Sequence, residues 1–318
     1  MEEKKIEKVI IIGGGPAGLT AWIYTARAWL TPVLFEGFMA EGVAPWGLLT
    51  MTTIVENFPG FEEGIRWGEL MQKMKKQAKK FWTTILTETV TKVEKSESFF
   101  TVTTDKKVYF SYTLIVATWS KPKMLWIPGE KKFWQKWISV CAVCDGMSPL
   151  FKKGRVAIVG GGDVAMEEAL FMSNIADKVD IFVRKNILKA TQYLQERVQK
   201  NEKIEIHFNS EVIEAQGENI LQILKIKNNQ TGMIVEESFQ GLFYALGRTP
   251  NSSLFTNRLQ MDENGFIQGG KKGETSQKGI FVAWEVCDPI YQQAITSSAQ
   301  GAQAAFGVID YLQEIWQI

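Results

Sequence analysis

Short apolar runs alternate along the chain with longer stretches whose apolar residues recur at helical spacing. Residues 8–12 form an apolar, β-branched run that ends at a glycine, and residues 155–159 form a second run of the same kind. The stretches 19–30 and 166–175 follow these runs with the spacing of helices, and each leads into a further apolar run. Buried strands that alternate with helices are typical of parallel sheets. The pattern therefore predicts an α/β fold with two Rossmann-like units.

The loop after the first strand has the composition of a dinucleotide-binding turn. Residues 13–18 read GGGPAG, which fits G-x-G-x-x-G, and the run 32–35 ends at Glu36. Glycines permit a tight turn and a close approach to a pyrophosphate, and the N-terminus of the following helix attracts its charge. An acidic residue about 20 positions further on accepts hydrogen bonds from a ribose. The candidate cofactor-binding residues are Gly13, Gly15, Pro16, Ala17, Gly18 and Glu36. The alternative is a glycine turn without a ligand.

A second loop repeats this composition. Residues 160–165 read GGGDVA, which fits G-x-G-x-x-A, and the next apolar run, 179–183, ends in cations rather than in an acidic residue. A cationic cluster here suits a ribose 2′-phosphate and predicts NADP rather than NAD, although a solvated strand end is the alternative. The candidate residues are Gly160, Gly162, Asp163, Val164, Ala165, Arg184, Lys185 and Lys189. Two nucleotide units in one chain predict a flavin together with a nicotinamide.

A pair of cysteines lies between the two glycine loops. Residues 141–146 read CAVCDG. Two cysteines at this spacing can close a small disulfide and exchange with the disulfide of a substrate, one thiolate attacking and the other resolving. Asp145 could accept or donate the proton of a thiol. The candidate catalytic residues are Cys141, Cys144 and Asp145. The alternative is a buried pair of small hydrophobic side chains.

Composition narrows the class of protein without naming a substrate. The 318 residues carry 36 Lys and Arg against 35 Asp and Glu, so the net charge of +1 offers no attraction for nucleic acid. The chain has neither an apolar stretch of ~20 residues nor the apolar segment of a signal peptide, so a cytoplasmic protein is expected. Three cysteines and one histidine offer few zinc ligands, and no metal site is expected. We expect a structural or surface role for His207 and no role in the chemistry for Cys287, for which a third redox thiol is the alternative.

These motifs together resemble the low-molecular-weight thioredoxin reductases, from about residue 8 to residue 312. The CAVCDG run just before the second glycine motif is the most specific feature, because related flavoproteins that exchange electrons with ferredoxin lack it. The other matching segments are GGGPAGLT at 13–20, VENFPG at 55–60, GGGDVAMEEA at 160–169, ALGRTPN at 245–251 and QAI at 293–295.

The resemblance implies a discontinuous FAD domain at 1–116 and 249–318 and an inserted NADPH domain at 117–248, which carries the dithiol. It implies that NADPH reduces FAD, that FAD reduces the Cys141–Cys144 disulfide, and that the dithiol reduces thioredoxin or a similar small protein. Cys144 would lie against the flavin and Cys141 would attack the partner. Members of the family are homodimers.

The resemblance also extends the expected FAD site beyond the first glycine loop. Two of its residues depart from the family pattern, since Glu285 replaces an aspartate and Gln292 replaces an arginine. Both are retained as candidates. The further FAD contacts that the resemblance implies are Gly47, Leu49, Thr50, Asn57, Ala117, Thr118, Glu285, Gln292, Gln293 and Ala294.

Tryptophan marks the largest departure from the family. The chain has 11 tryptophans, and nine lie where the family has or allows glycine: Trp22, Trp29, Trp46, Trp67, Trp82, Trp119, Trp126, Trp137 and Trp284. An indole on a loop that presses against FAD would clash. Our hypothesis is that these nine residues are glycine in the protein. Their codon would be UGA, which some bacterial lineages read as glycine and which another genetic code reads as tryptophan. The rival interpretation is a diverged flavoprotein that has filled its cofactor sites with indoles.

Two other functions are alternatives to that of a reductase. A flavin-dependent dithiol oxidase would pass electrons to oxygen without NADPH, and the intact second glycine motif with Arg184 and Lys185 argues against it. A binding homologue that lacks flavin would fit the tryptophans if they are genuine. The retained Cys141, Cys144 and Asp145 argue against that function, because a protein without redox chemistry need not keep a dithiol.

Overall fold

The computed structural model describes residues 5–38, 49, 54–81 and 84–316, and the chain divides into two compact units. The first unit comprises Met1–Lys121 and Thr249–Ile318, and the second comprises Pro122–Arg248. The second unit is therefore inserted between two segments of the first. The residues with sequence-based predictions that lie outside the described part are Trp46, Gly47, Thr50 and Trp82.

The elements follow one another in α/β order. Up to the first crossing between the units they are β1 (Ile6–Ile12), α1 (Pro16–Arg27), β2 (Val33–Phe35), β3 (Ile54–Val55), β4 (Ile65–Arg66), α2 (Trp67–Lys79), β5 (Thr84–Leu86), β6 (Val90–Lys95), β7 (Phe100–Thr104), β8 (Val108–Val116) and β9 (Ser120–Pro122). The second unit contains α3 (Glu130–Phe133), β10 (Ile138–Ser139), α4 (Ala142–Asp145), β11 (Arg155–Val159), α5 (Asp163–Met172), β12 (Lys178–Val183), α6 (Gln192–Gln199), β13 (Ile204–Phe208), β14 (Ser210–Gln216), β15 (Ile223–Asn228), β16 (Ile234–Ser238) and β17 (Gly241–Tyr244). After it come β18 (Arg248–Pro250), β19 (Ile280–Val282) and α7 (Ala294–Trp316).

The first unit is built on a seven-stranded sheet in the order β5-β2-β1-β8-β7-β6, with β19 also beside β8. The pairs β5–β2, β2–β1, β1–β8 and β8–β19 are parallel, whereas β7 and β6 are added antiparallel. Successive residues of β1 face opposite sides. Ile11 packs among residues of α1, α2 and α7, and Ile10 packs with residues of β6 and β7. This two-sided burial is why the strand is a continuous apolar run.

The second unit repeats this layout on a smaller scale. Its five-stranded parallel sheet has the order β10-β17-β11-β12-β13, and a separate antiparallel sheet has the order β14-β15-β16. Ile158 of β11 packs against α5, whereas its neighbour Ala157 packs with residues of β14 and β15. Both units thus have the α/β, Rossmann-like layout that the sequence predicts.

The helices after the glycine loops begin earlier than apolar spacing alone predicts. The spacing predicts helices from residues 19 and 166, but α1 begins at Pro16 and α5 at Asp163. The last glycine of each loop, Gly15 or Gly162, is the N-cap of its helix, so the first turn belongs to the motif itself. Among the described helices, none combines the length and the apolar character that a bilayer crossing requires.

Candidate active site

The two cysteines of the CAVCDG run lie in the second unit and form a disulfide, with 5.3 Å between their Cα atoms. Cys141 is the N-cap of the short helix α4, and the backbone N–H of Cys144 donates to Cys141 Sγ at 3.2 Å. An N–H that points at a sulfur stabilises a thiolate there after reduction. Both cysteines are half-buried.

Asp145 is held beside the disulfide by a serine. Its Oδ2 accepts a hydrogen bond from Ser139 Oγ at 2.6 Å, and the same hydroxyl oxygen accepts the backbone N–H of Cys141 at 3.1 Å. Ser139 therefore bridges the carboxylate to the backbone of the first cysteine. The exchange of a proton between Asp145 and the dithiol stays a prediction.

The structure adds Glu168, which the sequence did not single out. This buried residue of α5 accepts the backbone N–H of Ala142 on its Oε1 at 3.0 Å. Burial raises its pKa to about 7 and the charge of Asp145 adds to the increase, while the bond from Ala142 and the charge of Arg248 oppose it. A signal was available in the sequence, because Glu168 lies three residues after buried Ala165 and four before buried Met172. It therefore occupies the apolar stripe of the helix.

The second glycine loop has the geometry that a pyrophosphate requires. Gly160 has φ +152°, and a Cβ there would lie 2.5 Å from the carbonyl oxygen of Ala245, so only glycine fits. A Cβ on Gly162 would have no atom within 4 Å, which leaves the N-terminus of α5 open to a ligand. Asp163 begins this helix, and its Oδ1 accepts the backbone N–H of Thr191 at 2.6 Å. Of the next two candidates, Val164 is exposed and Ala165 is buried in the core.

The predicted cations lie at the same edge of the sheet as this loop. The backbone N–H of Gly160 donates to the carbonyl oxygen of Phe182, and Arg184 and Lys185 follow that strand with exposed side chains. Lys189 is also exposed, and its backbone N–H donates to the carbonyl oxygen of Gly161 at 2.7 Å. An open helix N-terminus with cations beside it fits a dinucleotide that carries an additional phosphate.

The first glycine loop also has positions where only glycine fits. Gly13 has φ +121°, and a Cβ there would lie 2.1 Å from the carbonyl oxygen of Ala117. A Cβ on Gly18 would lie 1.9 Å from the carbonyl oxygen of Gly13, so this glycine lets α1 approach β1. Glu36 follows β2, accepts the hydroxyl of Thr87 at 3.0 Å and forms an ion pair with Lys75. The loop and its acidic residue thus fit the adenosine side of a dinucleotide.

Several predicted FAD contacts are brought together within the first unit. Asn57 Nδ2 donates to Gln293 Oε1 at 3.1 Å, although 236 positions separate them. Thr118 donates its hydroxyl to the carbonyl oxygen of Asn251 at 2.8 Å. Apart from Glu285, four described candidates remain. Ala117 is buried next to Gly13, and Leu49 packs against the α1 side of the core. Gln292 donates to the carbonyl oxygen of Asp288, and Ala294 begins α7.

Glu285 has a partner within the protein. The side chain is 2% exposed, and its Oε2 accepts both the backbone N–H of Ser120, at 2.8 Å, and the hydroxyl of Ser120, at 2.7 Å. These bonds anchor the loop after β19 to the strand β9. The predicted contact between Glu285 and a flavin stays a prediction.

The side chain of Trp284 does not fit a flavin dinucleotide. A Cβ built on Gly15 would lie only 2.3 Å from Cζ3 of Trp284 and 2.7 Å from its Cη2. Gly15 is the N-cap of α1, so the indole covers the helix N-terminus where a pyrophosphate would bind. The glycine loop and Glu36 are arranged for a dinucleotide, and the residue at position 284 obstructs it.

His207 lies on the edge strand β13 of the parallel sheet in the second unit. His207 stacks on Phe182 and contacts Asp180 Oδ1 at 2.7 Å, in agreement with the structural role predicted for it. Asp180 and Glu205 could form a metal-ligand set with it, but Arg155 and Lys178 already form ion pairs with these carboxylates.

Cys287 lies near the obstructed loop of the first unit. Its thiol donates to the carbonyl oxygen of Trp284 at 3.2 Å, and burial together with the charge of Asp288 raises its pKa to about 12. A thiol held in its protonated form is a poor nucleophile. That Cys287 stands outside the chemistry stays a prediction.

Comparison with known proteins extends over nearly the whole chain. A family model described as pyridine nucleotide-disulphide oxidoreductase matches residues 7–301. A thioredoxin reductase of Dictyostelium discoideum is 43% identical over 320 residues, which cover 99% of this chain and 100% of that protein. Thioredoxin reductase 1 of Saccharomyces cerevisiae is 44% identical over 314 residues, which cover 97% of this chain and 98% of that protein.

Solved structures give the same picture. Thioredoxin reductase from Streptococcus pyogenes superposes with a TM-score of 0.86 at 33% sequence identity, over 98% of this chain and 100% of that one. Thioredoxin reductase from Giardia duodenalis superposes with a TM-score of 0.86 at 33% identity, over 96% of this chain and 98% of that one. The matches therefore include both units.

Proposed function

The chain belongs to the pyridine nucleotide-disulphide oxidoreductase family, and we propose that its Cys141–Cys144 pair transfers electrons from NADPH to thioredoxin or a similar small dithiol protein. Its activity is that of a thioredoxin-disulfide reductase, and its relatives are named thioredoxin reductase. The observation that carries the proposal is the disulfide beside Asp145, linked through Ser139. Disulfide exchange requires an attacking thiol and a resolving thiol, and a nearby carboxylate can exchange their protons.

The exchange can be written for the reduced pair. The thiolate of Cys141 attacks one sulfur of the partner disulfide, which forms a mixed disulfide and releases the second partner sulfur as a thiolate. The thiolate of Cys144 then attacks the sulfur of Cys141, which re-forms the Cys141–Cys144 disulfide and releases the first partner sulfur. Two electrons pass to the partner, and its two thiolates each take up one proton, which balances the protons that the Cys141 and Cys144 thiols release when they ionise. Asp145 would take up or return a proton during these steps.

NADPH and FAD are the proposed sources of these electrons. The loop 160–165 with Arg184, Lys185 and Lys189 would bind NADPH, and the loop 13–18 with Glu36 would bind the adenosine half of FAD. The flavin, when bound, supplies a two-electron carrier between the nicotinamide and the disulfide. Backbone N–H groups at the N-terminus of α5 would orient NADPH, and those at the N-terminus of α1 would orient FAD where the side chain at position 284 leaves them uncovered.

We also propose a homodimer in the cytoplasm. The dithiol supports this location, because a C-x-x-C pair does redox work in reducing compartments. Relatives from Kluyveromyces lactis and Arabidopsis thaliana are named as mitochondrial, so subcellular fractionation is the test of location. Light scattering of the purified protein measures its molar mass, which should be twice that of one chain if the protein is a dimer.

The test of function is anaerobic NADPH oxidation by protein whose visible spectrum shows bound FAD. With oxidised thioredoxin present, we expect one NADPH to be consumed for each thioredoxin disulfide reduced. Cys287→Ser should retain this activity, whereas Cys144→Ser should abolish it. Flavin-loaded protein that consumes no NADPH would contradict the proposal. Oxygen consumption with a small dithiol but without NADPH would indicate the dithiol oxidase instead.

A further inference from the structure

Three tryptophans of the described chain have a backbone conformation that favours glycine. The φ angles are 58° at Trp29, 59° at Trp126 and 73° at Trp284. A bulky side chain at positive φ is a genuine outlier, because its Cβ crowds the backbone. The other non-glycine residues with positive φ in the described part of the chain are Thr31, Gln135, Lys153 and Asn209. Tryptophan thus accounts for three of these seven positions.

Trp29 occupies the position at which a helix most often ends with glycine. The helix α1 has Ala28 as its C-cap, and Trp29 follows it. The backbone N–H of Trp29 donates to the carbonyl oxygen of Ala26, and that of Leu30 donates to the carbonyl oxygen of Thr25. These two bonds define the Schellman motif, in which the residue after the C-cap is left-handed and is usually glycine. The indole of Trp29 is 80% exposed and is not needed for the motif.

Trp126 also contributes through its backbone. Its N–H donates to Glu130 Oε2 at 3.0 Å, next to the N–H of Leu125, which donates to the same oxygen at 3.1 Å. Tyr244 donates its hydroxyl to this oxygen as well, so the turn is anchored on a buried carboxylate. The side chain of Trp126 is 78% exposed. A glycine would keep the hydrogen bond and would remove the strain of the left-handed conformation.

Of the three left-handed tryptophans, Trp284 is the one whose side chain obstructs a candidate cofactor site. The residue is left-handed, and its ring lies where it obstructs Gly15 at the N-terminus of α1. Its backbone N–H donates to Gln300 Oε1 at 2.7 Å, a bond that glycine would also make. The side chain therefore blocks a loop whose other residues are arranged for a dinucleotide, while the backbone performs the structural role.

Two other tryptophans provide an internal contrast. Trp134 has φ −57° and ψ 137°, and Trp316 ends the helix α7, so both have ordinary backbone conformations. Trp134 packs against Tyr244 and Trp316 packs against Tyr112, so their rings make contacts. In this respect Trp134 and Trp316 differ from the two exposed, left-handed tryptophans, Trp29 and Trp126.

We propose that the protein made in its own cells has glycine at positions 29, 126 and 284, encoded by UGA codons that another genetic code renders as tryptophan. Glycine at position 284 uncovers Gly15 and the N-terminus of α1, which opens this loop to the pyrophosphate of a dinucleotide. The consequence for FAD rests on the proposed function, whereas the identities of the three residues do not.

The decisive measurement is peptide mapping by mass spectrometry of the protein purified from its native cells. Trypsin releases 124–131, which contains Trp126, and 133–136, which contains Trp134. We expect the first peptide to have the mass of a glycine variant and the second to have the mass of the tryptophan sequence. Tryptophan in both peptides would overturn the proposal at position 126, and neither result depends on flavin or on activity.

The gene provides a second readout at all three positions. We expect TGA codons at positions 29, 126 and 284 and TGG codons at 134 and 316. Sequencing the gene also gives the codons for Trp46 and Trp82, the two tryptophan positions that the structure does not describe. TGG at positions 29, 126 and 284 would refute the proposal even if the protein from native cells could not be purified.

The flavin site gives a third readout. We expect Trp284→Gly, made in the chain with tryptophan at the other positions, to bind FAD roughly 10- to 100-fold more tightly than the parent chain by flavin fluorescence titration. Trp126→Gly is the matched control, because it relieves the same backbone strain in the second unit, outside the glycine loop of the first, and should leave FAD affinity unchanged. Equal FAD affinity in the parent chain and in Trp284→Gly would contradict the obstruction. Inactivity of FAD-loaded Trp284→Gly towards NADPH would count against the proposed function only.

Discussion

The carboxylate of Glu168 accepts the backbone N–H of Ala142 at 3.0 Å, so the helix that follows the second glycine loop is tied directly to the helix of the dithiol. The bond joins the proposed NADPH site to the proposed redox centre within one unit. It is made by a buried side chain whose pKa is raised to about 7. The protonation of this group is therefore coupled to folding near neutral pH.

Glu168→Gln should remove a pH dependence of stability. Burial raises the pKa of Glu168 in the folded protein from 4.5 to about 7, so folding favours the protonated carboxyl. This group therefore stabilises the folded protein fully below pH 4.5, and its stabilisation is lost as the pH rises through 7. The loss amounts to ~3 kcal/mol. Glutamine resembles the protonated form and keeps an acceptor for Ala142, so the variant should be the more stable protein at pH 8. Urea unfolding between pH 5 and 8 measures this, with exposed Glu167→Gln as the control. Parallel curves for the parent and Glu168→Gln would contradict the expectation.

Cys144→Ser should trap the reaction partner. Without Cys144 the mixed disulfide between Cys141 and thioredoxin cannot be resolved, so a covalent complex should accumulate when the reduced variant meets oxidised thioredoxin. A non-reducing gel detects the complex, and a reductant should cleave its mixed disulfide. Cys141→Ser is the matched variant and should give much less complex, because the N–H of Cys144 favours a thiolate on Cys141. Equal trapping by both variants would show that either cysteine attacks the partner.

Arg184→Gln and Lys185→Gln should weaken discrimination between the two nicotinamide cofactors. Both side chains are exposed at the end of β12, beside the open loop at Gly162. Loss of a charged hydrogen bond to a 2′-phosphate should raise the KM for NADPH about tenfold for each variant and leave the KM for NADH unchanged. Steady-state kinetics with both cofactors measure the effect, and Lys200→Gln, another exposed lysine of the same unit, is the control. An equal change with NADPH and NADH would place these cations away from the phosphate.

Asp180→Asn should destabilise the second unit without affecting the chemistry. Burial works against ionisation of Asp180, but hydrogen bonds from Arg155 and His207 outweigh it and hold its pKa below the ordinary value. The contribution of this carboxylate is fully present above pH ~4 and is lost as the pH falls through the lowered pKa. Removing one partner from a buried pair costs about 3–5 kcal/mol in urea unfolding at pH 7. Exposed Glu205→Gln should cost much less, and an equal loss in both variants would refute the assignment.

The sequence by itself determined the α/β layout, the two nucleotide loops and the dithiol. Each of these depends on residues that are neighbours along the chain. Gly13 and Gly160 are required by their own turns, and the strands before them are continuous apolar runs because both of their faces are buried. Cys141 and Cys144 are close enough in the chain for one turn of helix to bring their sulfurs together. Local steric and periodic rules are sufficient for features of this kind.

Only the tertiary structure decided which distant groups meet. Asn57 contacts Gln293 across 236 positions, and Glu168 reaches Ala142 from another helix. The sequence marked Trp284 as unusual, but only the folded loop brings its ring onto Gly15 and leaves its backbone left-handed. Contacts of this kind depend on how sheets and helices pack, and no spacing along the chain encodes that packing. The motifs therefore determine the chemistry, and the packing determines whether a cofactor can reach it.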